Sequence, residues 1–289
     1  MDKNLLAHIE YLLCIRILNS GAVAGGDISK AYLLETETER FFCKLHEGAE
    51  ALNMFQAERA GLETIARTNT IATPKVLLCE ALEKGAFLLM EYIEPKNPST
   101  NDMELFGHQL ATMHQISDAN KFGWERNNFI GSLPQSNKRN SDWPGFYVWE
   151  RLVPQLRMAC DLNRLQPNEI PSEERLLKTC GALFPTIEPA LLHGDLWNGN
   201  YLIAQDGSPY LIDPAVYYGH HEVDLAMTRL FGGFGTVFYE AYSSLLPPSP
   251  VERERTDIYQ LYYLLVHLNL FGSSYYESVN SILKRYFLD

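Results

Sequence analysis

With 289 residues, 46% of them hydrophobic and 21% charged, the chain is long enough to fold around a substantial core and differs in composition from disordered proteins. Its 36 acidic and 24 basic residues give a net charge of −12, which opposes binding to nucleic acid. No stretch reaches the roughly 20 apolar residues of a membrane span, and the N-terminal segment lacks the apolar core of a signal peptide. We therefore expect a cytoplasmic protein without a nucleic-acid or membrane partner. Because the net charge is negative, the binding site of an anionic ligand must itself supply the compensating charge, from a lysine, from backbone N–H groups or from a metal ion.

The first ninety residues predict a small antiparallel sheet with an inserted helix. Apolar residues at helical spacing predict a helix over residues 3–18, ending at the Asn19-Ser20-Gly21 turn signal. The run MFQAERAGLETIART at residues 54–68 predicts the inserted helix. Short apolar runs separated by polar turns predict strands at Ala31–Leu34, Phe41–Lys44, Val76–Leu78 and Phe87–Met90.

The remainder of the chain is mainly helical in pattern. Residues 134–142 are polar and irregular and predict a surface loop, and residues 96–100 predict a connector between lobes. Helical periodicity occurs over residues 105–116, 149–162, 174–184, 222–231, 254–271 and 274–287. The sequence thus predicts an α+β fold of two lobes, residues 1–92 and 93–289, with a ligand cleft between them.

Five cysteines are scattered through the chain, with no CxxC pair and no regular spacing. This pattern favours buried free thiols in a reducing compartment over disulfides or a zinc site. The cysteines are Cys14, Cys43, Cys79, Cys160 and Cys180.

The segment with the most chemical information contains His193-Gly194-Asp195 and Asn200, followed by Ile212-Asp213. Asp206 and Gly207 between two apolar runs predict a hairpin, and with these two as the turn residues Asn200 faces Asp213. An amide oxygen and a carboxylate side by side are suitable ligands for Mg²⁺, which leaves Asp195 as an acidic group on the preceding loop.

The spacing of Asp195, Asn200 and Asp213 is that of kinase-like phosphoryl transfer. In that chemistry one aspartate accepts the proton of the attacking hydroxyl, while asparagine and a second aspartate hold the metal. The alternative is that Asp195 caps a helix and Asn200 lies in a turn. This alternative is reasonable for either residue alone and weak for the combined set.

Lys44 at the end of an apolar strand can supply the local cation for nucleotide phosphates. A buried lysine needs a carboxylate partner, which the following helix offers in Glu58 or Glu63. The run LLMEYIEP at residues 88–95 predicts a strand entering the connector, where backbone groups can bind adenine. The loop over the phosphates can be formed by Gly25, Gly26, Asp27 and Ile28.

Other polar residues favour structural roles. Adjacent side chains in His220-His221-Glu222 point in different directions, which is unsuitable for a metal site. His108 and His114 belong to a predicted helix, and Asp224 lies at a helix start, where a carboxylate is stabilising in any protein.

The chain resembles the fructosamine kinase (ketosamine 3-kinase) family, within the wider protein-kinase-like group of aminoglycoside and choline phosphotransferases. The resemblance extends from Gly25 nearly to the C-terminus and rests on the motifs HGDLWNGN, LIDPAVYYGHHEVDLAMTRLFGGF, FIGSLPQ and RLVPQLRMA. It implies a two-lobed protein-kinase-like fold and Mg²⁺-dependent transfer of phosphate from ATP to the 3-hydroxyl of a ketosamine. The phosphorylated adduct becomes labile and releases the amine, which is deglycation.

The resemblance also implies a role for individual residues. Asp195 corresponds to the proton acceptor, Asn200 and Asp213 to the Mg²⁺ ligands, Lys44 to the phosphate-binding lysine, and Glu58 to its partner. The adenine-binding connector corresponds to Met90, Glu91, Tyr92 and Ile93.

Two positions need separate treatment: Trp197 has two possible roles, and Asp27 departs from the pattern of some family members. Trp197 is expected to stack on the substrate, with a core tryptophan under the catalytic loop as the alternative. Some family members carry a cysteine in the glycine-bearing loop that permits disulfide dimers, but Asp27 takes that place here. We therefore expect no such switch, and a monomer or weak homodimer.

The acceptor class remains open between related possibilities. A small-molecule or protein-bound ketosamine is expected. The rivals are a kinase of the same fold acting on an aminoglycoside, choline or a simple sugar, and a catalytically inactive nucleotide-binding module. The presence of Lys44, Asp195, Asn200 and Asp213 together argues against the inactive module.

Overall fold

The N-terminal part of the chain forms an antiparallel sheet in a computed structural model that describes residues 1–23, 29–117, 121–249 and 251–288. Within those ranges the sheet has five strands in the order β1-β2-β3-β5-β4. The strands are β1 Asn19–Val23, β2 Lys30–Glu35, β3 Arg40–Glu47, β4 Val76–Leu82 and β5 Gly85–Glu91. The predicted strands are confirmed, with bounds extended by one to four residues.

A helix packs on each face of this sheet. Successive side chains of a strand point to opposite faces, so Phe87 and Leu89 contact α1 (Lys3–Leu13), and Leu88 contacts α2 (Ala51–Ala66). Burial of both faces explains why β5 is a continuous apolar run. The helix predicted between the second and third strands is therefore confirmed as α2.

The first helix is shorter than predicted and is followed by an unpredicted strand. The predicted helix over residues 3–18 ends at Leu13, because Cys14 has a left-handed backbone with φ 53°. The N–H of Ile17 donates to Oε1 of Glu10 at 2.7 Å, which holds the chain as it turns toward the sheet. The Asn19-Ser20-Gly21 segment is the start of edge strand β1, not a helix stop, and its exposed side chains give no apolar pattern to detect.

The connector joins the sheet to the C-terminal part of the chain. The N–H of Lys96 donates to the carbonyl of Ile203 at 2.8 Å, and Nε2 of Gln205 donates to the carbonyl of Pro95 at 3.0 Å. These contacts attach the connector to a hairpin described below. The lobe boundary between residues 92 and 93 stays a prediction.

The C-terminal part is mainly helical around one large apolar core. The helices are α3 Thr100–Met113, α4 Trp143–Tyr147, α5 Val153–Asp161, α6 Glu173–Leu183, α7 Glu222–Leu230, α8 Thr236–Leu245, α9 Glu252–Phe271 and α10 Tyr276–Tyr286. Short 3₁₀ segments cover Pro167–Glu169 and Ser273–Tyr275. Helix α8 was absent from the predicted set, and its run TVFYEAYSSL begins with residues of modest helix propensity.

The helix predicted over residues 149–162 is two segments. A π-helical segment, Val148–Leu152, precedes α5, and the N–H of Val153 donates to the carbonyl of Val148. Pro154 has no N–H for the carbonyl of Glu150, four residues earlier, and Nη1 of Arg151 donates to that carbonyl at 2.9 Å instead. The change in helix type therefore follows from Pro154.

In the described part of the chain, three two-stranded pairs lie around the C-terminal core. They are β6 Asn128–Ile130 with β7 Leu133–Gln135, β8 Ala190–Leu192 with β11 Tyr217–Gly219, and β9 Tyr201–Ile203 with β10 Pro209–Leu211. The surface loop predicted over residues 134–142 is wrong in part, because Gln135 belongs to β7 and both Gln135 and Asn137 are buried.

The β9–β10 register differs by one residue from the prediction. Ile203 pairs with Pro209 and Tyr201 with Leu211. The turn therefore has three residues, Gln205-Asp206-Gly207, with Gly207 at φ +93°, where glycine is strongly favoured. Asn200 consequently lies opposite Ile212, and not opposite Asp213.

The sequence predicted buried thiols, but only some of the thiols are buried. Cys43 and Cys180 are buried, Cys79 and Cys160 are half-buried, and Cys14 is exposed; all five are free. In the described ranges no helix has the length and apolar character needed to cross a membrane.

Replacement of two helical glycines by alanine should have opposite effects on the free energy of unfolding. A Cβ at Gly107 in α3 would lie 2.4 Å from the carbonyl oxygen of Phe238 in α8, whereas a Cβ at Gly181 in α6 meets no atom within 4 Å. We expect Gly107→Ala to lower the free energy of unfolding by about 2 kcal/mol because α3 and α8 must separate. Gly181→Ala should raise it by up to about 1 kcal/mol. Urea unfolding of both variants checks this, and equal effects would contradict the packing of α3 on α8.

Candidate active site

Lys44 of β3 connects the sheet to the C-terminal part of the chain. Its Nζ donates to Oε1 of Glu58 in α2 at 2.7 Å and to Oδ1 of Asp213. Burial alone would lower the pKa of Lys44, but the charges of Asp213 and Glu58 raise it above its ordinary value. Lys44 is therefore a permanent cation. The alternative partner Glu63 instead accepts from Nε of Arg59 at 2.7 Å.

Asp213 follows β10 in an unusual backbone conformation. Its φ of 55° is left-handed, which aspartate tolerates better than most residues. The N–H of the preceding Ile212 donates to the carbonyl of Asn200 at 3.1 Å. Asp213 is thus one residue beyond the position opposite Asn200, and its carboxylate contacts Lys44.

The loop carrying Asp195 begins directly after β8. Gly194 has φ +85°, and a Cβ there would lie 2.2 Å from the carbonyl oxygen of Ala215, so only glycine fits. The N–H of Asp195 donates to Nδ1 of His193 at 3.2 Å, and Nε2 of His193 donates to the carbonyl of Ile212 at 2.9 Å. This pattern requires neutral His193, in agreement with burial, which lowers its pKa.

Asn200 closes this loop onto Asp195. Its Nδ2 donates to the backbone carbonyl of Asp195 at 2.7 Å and to Oδ2 of Asp195 at 3.3 Å. Burial, together with the negative charges of Asp213 and Asp224, raises the pKa of Asp195 to about 7. Asp195 therefore has the protonation behaviour of a base that works near neutral pH.

Asp224 in the first turn of α7 has a structural role, as predicted, but its partners were not predicted. Its Oδ2 accepts from the N–H of His193 at 2.7 Å and from Nε2 of His114 at 3.1 Å, and its Oδ1 accepts from the N–H of Gly194 at 2.9 Å. The carboxylate is fully buried and holds the loop that carries Asp195 by its backbone. The only sequence signal is an acidic residue at a helix start, which is common to helices in general.

The other histidines are structural, as expected. Nδ1 of His220 lies 2.8 Å from the hydroxyl of Tyr259, and Nδ1 of His221 lies 3.0 Å from the hydroxyl of Tyr242. Both oxygens of Glu222 accept from Arg255.

The donor set is consistent with a magnesium ion held partly by phosphate. No cluster of three or more His, Cys, Asp or Glu side chains is placed to bind a metal in the described part of the chain. Mg²⁺ commonly takes only one or two protein oxygens and completes its shell with water and phosphate. Because Nδ2 of Asn200 is the atom bonded to Asp195, its Oδ1 has no hydrogen-bond donor among the described residues. Oδ1 of Asn200 and the carboxylate of Asp213 therefore fit such a site.

Trp197 lies at the surface of the loop between Asp195 and Asn200. Its side chain is 37% exposed, so the alternative of a core tryptophan is wrong. The indole covers Gly199, where a Cβ would lie 2.4 Å from Cζ2, and meets the ring of Phe231 edge-on. The partly exposed indole therefore lies at the surface of this loop.

The proposed nucleotide-binding backbone is described only in part. Gly25, Gly26, Asp27 and Ile28 lie outside the described residues. Met90 and Glu91 end β5, and the N–H groups of Glu91 and Tyr92 donate to the carbonyls of Lys75 and Arg40. The N–H of Ile93 has no acceptor in the ranges that the structure describes.

Comparison with known proteins agrees with this geometry. The model of the family described as fructosamine kinase matches residues 7–289. A chloroplastic protein-ribulosamine 3-kinase of Arabidopsis thaliana is 39% identical over 276 residues, covering 94% of this chain and 83% of that protein. Ketosamine-3-kinase of Mus musculus is 34% identical over 306 residues, covering 94% of this chain and 96% of that protein.

Solved structures give the same result. The crystal structure of a candidate fructosamine-3-kinase from Haemophilus somnus superposes with a TM-score of 0.88 and 25% identity, covering 97% of this chain and 96% of that chain. A choline kinase of Streptococcus pneumoniae shares the fold, with a TM-score of 0.64 and 17% identity over 98% of this chain and 100% of that chain. The predicted two-lobed kinase-like fold is confirmed.

Replacement of Asp224 tests its role as the support of the loop that carries Asp195. Asp224→Asn puts an NH₂ group against a backbone N–H and removes a buried charge-assisted acceptor, so we expect a loss of about 2–4 kcal/mol in the free energy of unfolding. Asp257→Asn is the matched control, because Asp257 makes a surface pair with Arg285 and should change stability by less than about 1 kcal/mol. Urea unfolding measures both, and equal losses would contradict the role of Asp224.

Proposed function

The chain belongs to the fructosamine kinase family, and on that premise we propose that it transfers the γ-phosphoryl group of ATP to the 3-hydroxyl of a ketosamine. The observation that carries this proposal is the contact of Lys44 with both Glu58 and Asp213. It brings a permanent cation of the sheet to the hairpin that follows the Asp195 loop. Phosphoryl transfer requires a cation at the phosphates and a base at the attacking hydroxyl, and Lys44 and Asp195 would supply them.

Residues of both the N-terminal sheet and the C-terminal part of the chain would bind the nucleotide. Lys44 would bind the phosphates, kept in place by Glu58, and Asp213 and Asn200 would hold Mg²⁺ through the oxygens that fit it. The ion, when bound, neutralises charge on the phosphates and thereby stabilises the transition state. The N–H of Ile93, which has no acceptor among the described residues, supports a hydrogen bond to adenine from the Met90–Ile93 segment. The predicted contribution of Gly25, Gly26, Asp27 and Ile28 stays a prediction.

Asp195 would act as the general base. The proton of the sugar O3–H passes to the carboxylate of Asp195 as O3 bonds to the γ-phosphorus, and the bond from that phosphorus to the bridging oxygen of ADP breaks. Nδ2 of Asn200 keeps the carboxylate oriented. Because the pKa of Asp195 is raised to about 7, its ionised form is a stronger base than an ordinary aspartate and is still populated at neutral pH.

Trp197 would provide the wall against which the acceptor packs. Its exposed indole stands two residues beyond Asp195 on the same loop. Sugar C–H groups and a protonated amine both pack favourably on an aromatic face. Phosphate is a better leaving group than hydroxide, so enolisation of the C2 carbonyl toward C1 expels it from C3. Water then hydrolyses the imine that is left at C1, which frees the amine.

A panel of acceptors tests the reaction class and the acceptor together. ATP consumption would be measured with fructoselysine, ribuloselysine, free fructose, choline and an aminoglycoside. We expect turnover on the two ketosamines and little on the others. Turnover confined to choline or the aminoglycoside would contradict the proposal, and nucleotide binding without turnover on any acceptor would favour an inactive module.

Replacement of Asp195 tests the general base. Asp195→Asn should lower kcat by at least about 10²-fold, because asparagine cannot accept the proton. The free energy of unfolding should rise at pH 8, since a carboxylate whose pKa is above its unfolded value destabilises the folded state once ionised. At pH 5 the wild-type group is protonated when folded, so the gain should be smaller. Near-normal turnover would contradict the assignment.

The pH dependence of the wild-type enzyme gives a separate test. Since only ionised Asp195 accepts a proton, kcat/KM for a ketosamine should fall as the pH decreases through about 7. Initial rates between pH 5.5 and 8.5 with saturating MgATP measure this. A rate that does not vary over this range would be incompatible with Asp195 as the base.

A further inference from the structure

The segment Phe129–Gln135, FIGSLPQ, has no part in the mechanism above, although it lies close to the active site. It forms the β6–β7 hairpin, with the turn at Gly131. Two amide side chains of this hairpin, Asn128 at the start of β6 and Gln135 at the end of β7, are buried at 3% exposure each. Burial of a polar side chain costs free energy unless its hydrogen bonds are made inside the protein, so the partners of these amides are informative.

We propose that Asn128 and Gln135 are positioning residues that set Asp213 relative to Asp195. This inference rests on the proposed function, because it concerns the geometry of the same phosphoryl-transfer site. The two amides bind the backbone just beyond Asp213. Nδ2 of Asn128 donates to the carbonyl of Val216 at 2.9 Å, and Nε2 of Gln135 donates to the carbonyl of Ala215 at 3.3 Å.

Ala215 is the point at which the two catalytic segments touch. Its N–H donates to the carbonyl of His193 at 2.8 Å. Its carbonyl oxygen is the atom that a Cβ on Gly194 would meet at 2.2 Å. Ala215 is two residues from Asp213, and Gly194 is next to Asp195. A displacement of Ala215 therefore changes the separation of the two catalytic carboxylates.

The amides are themselves fixed in orientation by a buried chain of hydrogen bonds. Oδ1 of Asn128 accepts from Nε2 of Gln135 and from Nδ2 of Asn137, each at 2.8 Å. Oε1 of Gln135 accepts from the hydroxyl of Tyr262. Because each oxygen accepts and each NH₂ donates, neither amide can rotate by a half-turn without losing its partners.

Arg151 anchors this chain in the helical core. Its Nη2 donates to Oδ1 of Asn137 at 2.6 Å, its Nη1 donates to the carbonyl of Ser136 at 2.6 Å, and the residue is fully buried. The guanidinium lies 4.0 Å from the ring centroid of Tyr217, in the strand paired with β8. The chain of contacts thus runs from the π-helical segment to the backbone beside Asp213.

If Gln135 had only a structural role, its replacement would lower stability without changing the Mg²⁺-dependent gain in ADP affinity. A buried glutamine elsewhere in the chain provides a matched control. Gln155 in α5 is also buried at 3% and accepts from Nδ2 of Asn269 at 2.8 Å, within the packing of α5 on α9. Gln135→Met and Gln155→Met each replace a buried amide by an apolar side chain of similar length. Both should lower the midpoint of thermal unfolding, but only Gln135 contacts Ala215.

The test measures ADP binding by titration calorimetry, with and without Mg²⁺, on the full chain. For wild type and Gln155→Met we expect the same Mg²⁺-dependent gain in affinity. In Gln135→Met that gain should fall by about five- to tenfold, with Mg²⁺-free affinity unchanged, because a lost buried hydrogen bond displaces Asp213. In turnover assays, kcat of Gln135→Met should fall by about tenfold, with KM for the ketosamine within about twofold of wild type.

A Mg²⁺-dependent gain in Gln135→Met equal to that in Gln155→Met would overturn the inference and leave the proposed function intact. A wild type without any Mg²⁺-dependent gain would overturn both. Should Gln135→Met not fold, Tyr262→Phe removes only the hydroxyl bonded to Gln135, and Tyr147→Phe, whose hydroxyl donates to the carbonyl of Tyr259, is its control. A reduced gain in Tyr262→Phe alone supports the inference, and equal gains overturn it.

Discussion

The contact of Lys44 with Glu58 and Asp213 is the interaction on which the rest of the site depends, because it joins a strand, a helix and a hairpin through one cation. Each partner is restrained by its own element: Lys44 by β3, Glu58 by α2, and Asp213 by its left-handed backbone after β10. A buried lysine without these carboxylates would be costly. The acidic chain thus carries the cation that we propose for phosphate binding where two carboxylates stabilise it.

Three aspartates of the site show how the environment gives one residue type different pKa values. Burial would raise the pKa of each. For Asp213 the charge of Lys44 outweighs burial, and for Asp224 the hydrogen bond and charge of His114 do so, and the pKa of each carboxyl is lowered. Asp195 has only the amide of Asn200 to oppose burial and the charges of the other two, and its pKa rises to about 7. Asp195 is the one of these three aspartates whose pKa is raised, and it is therefore the one suited to accept a proton near neutral pH.

Much of the fold and site could be predicted because its signals are local. Four strands, helix α2 and the choice of Glu58 near Lys44 follow from apolar periodicity and from the family motif. The end of α1 and strand β1 could not be predicted, since they depend on Glu10 bonding Ile17 and on pairing with β2. The hairpin register was wrong by one because Asp206-Gly207 does not reveal a third turn residue. The long-range partners of Asp224 and Gln135 leave no local pattern at all.

The 3-hydroxyl of a ketosamine is the acceptor that we propose for the phosphate at this site. Phosphorus–proton correlation NMR of the product formed from fructoselysine and MgATP tests it most directly, because the coupling identifies the carbon that bears the phosphate. We expect coupling of the phosphorus to the proton on C3 alone, followed by release of lysine as the product decomposes. Coupling to a proton on another carbon, or ATP consumption without a phosphorylated ketosamine, would contradict it.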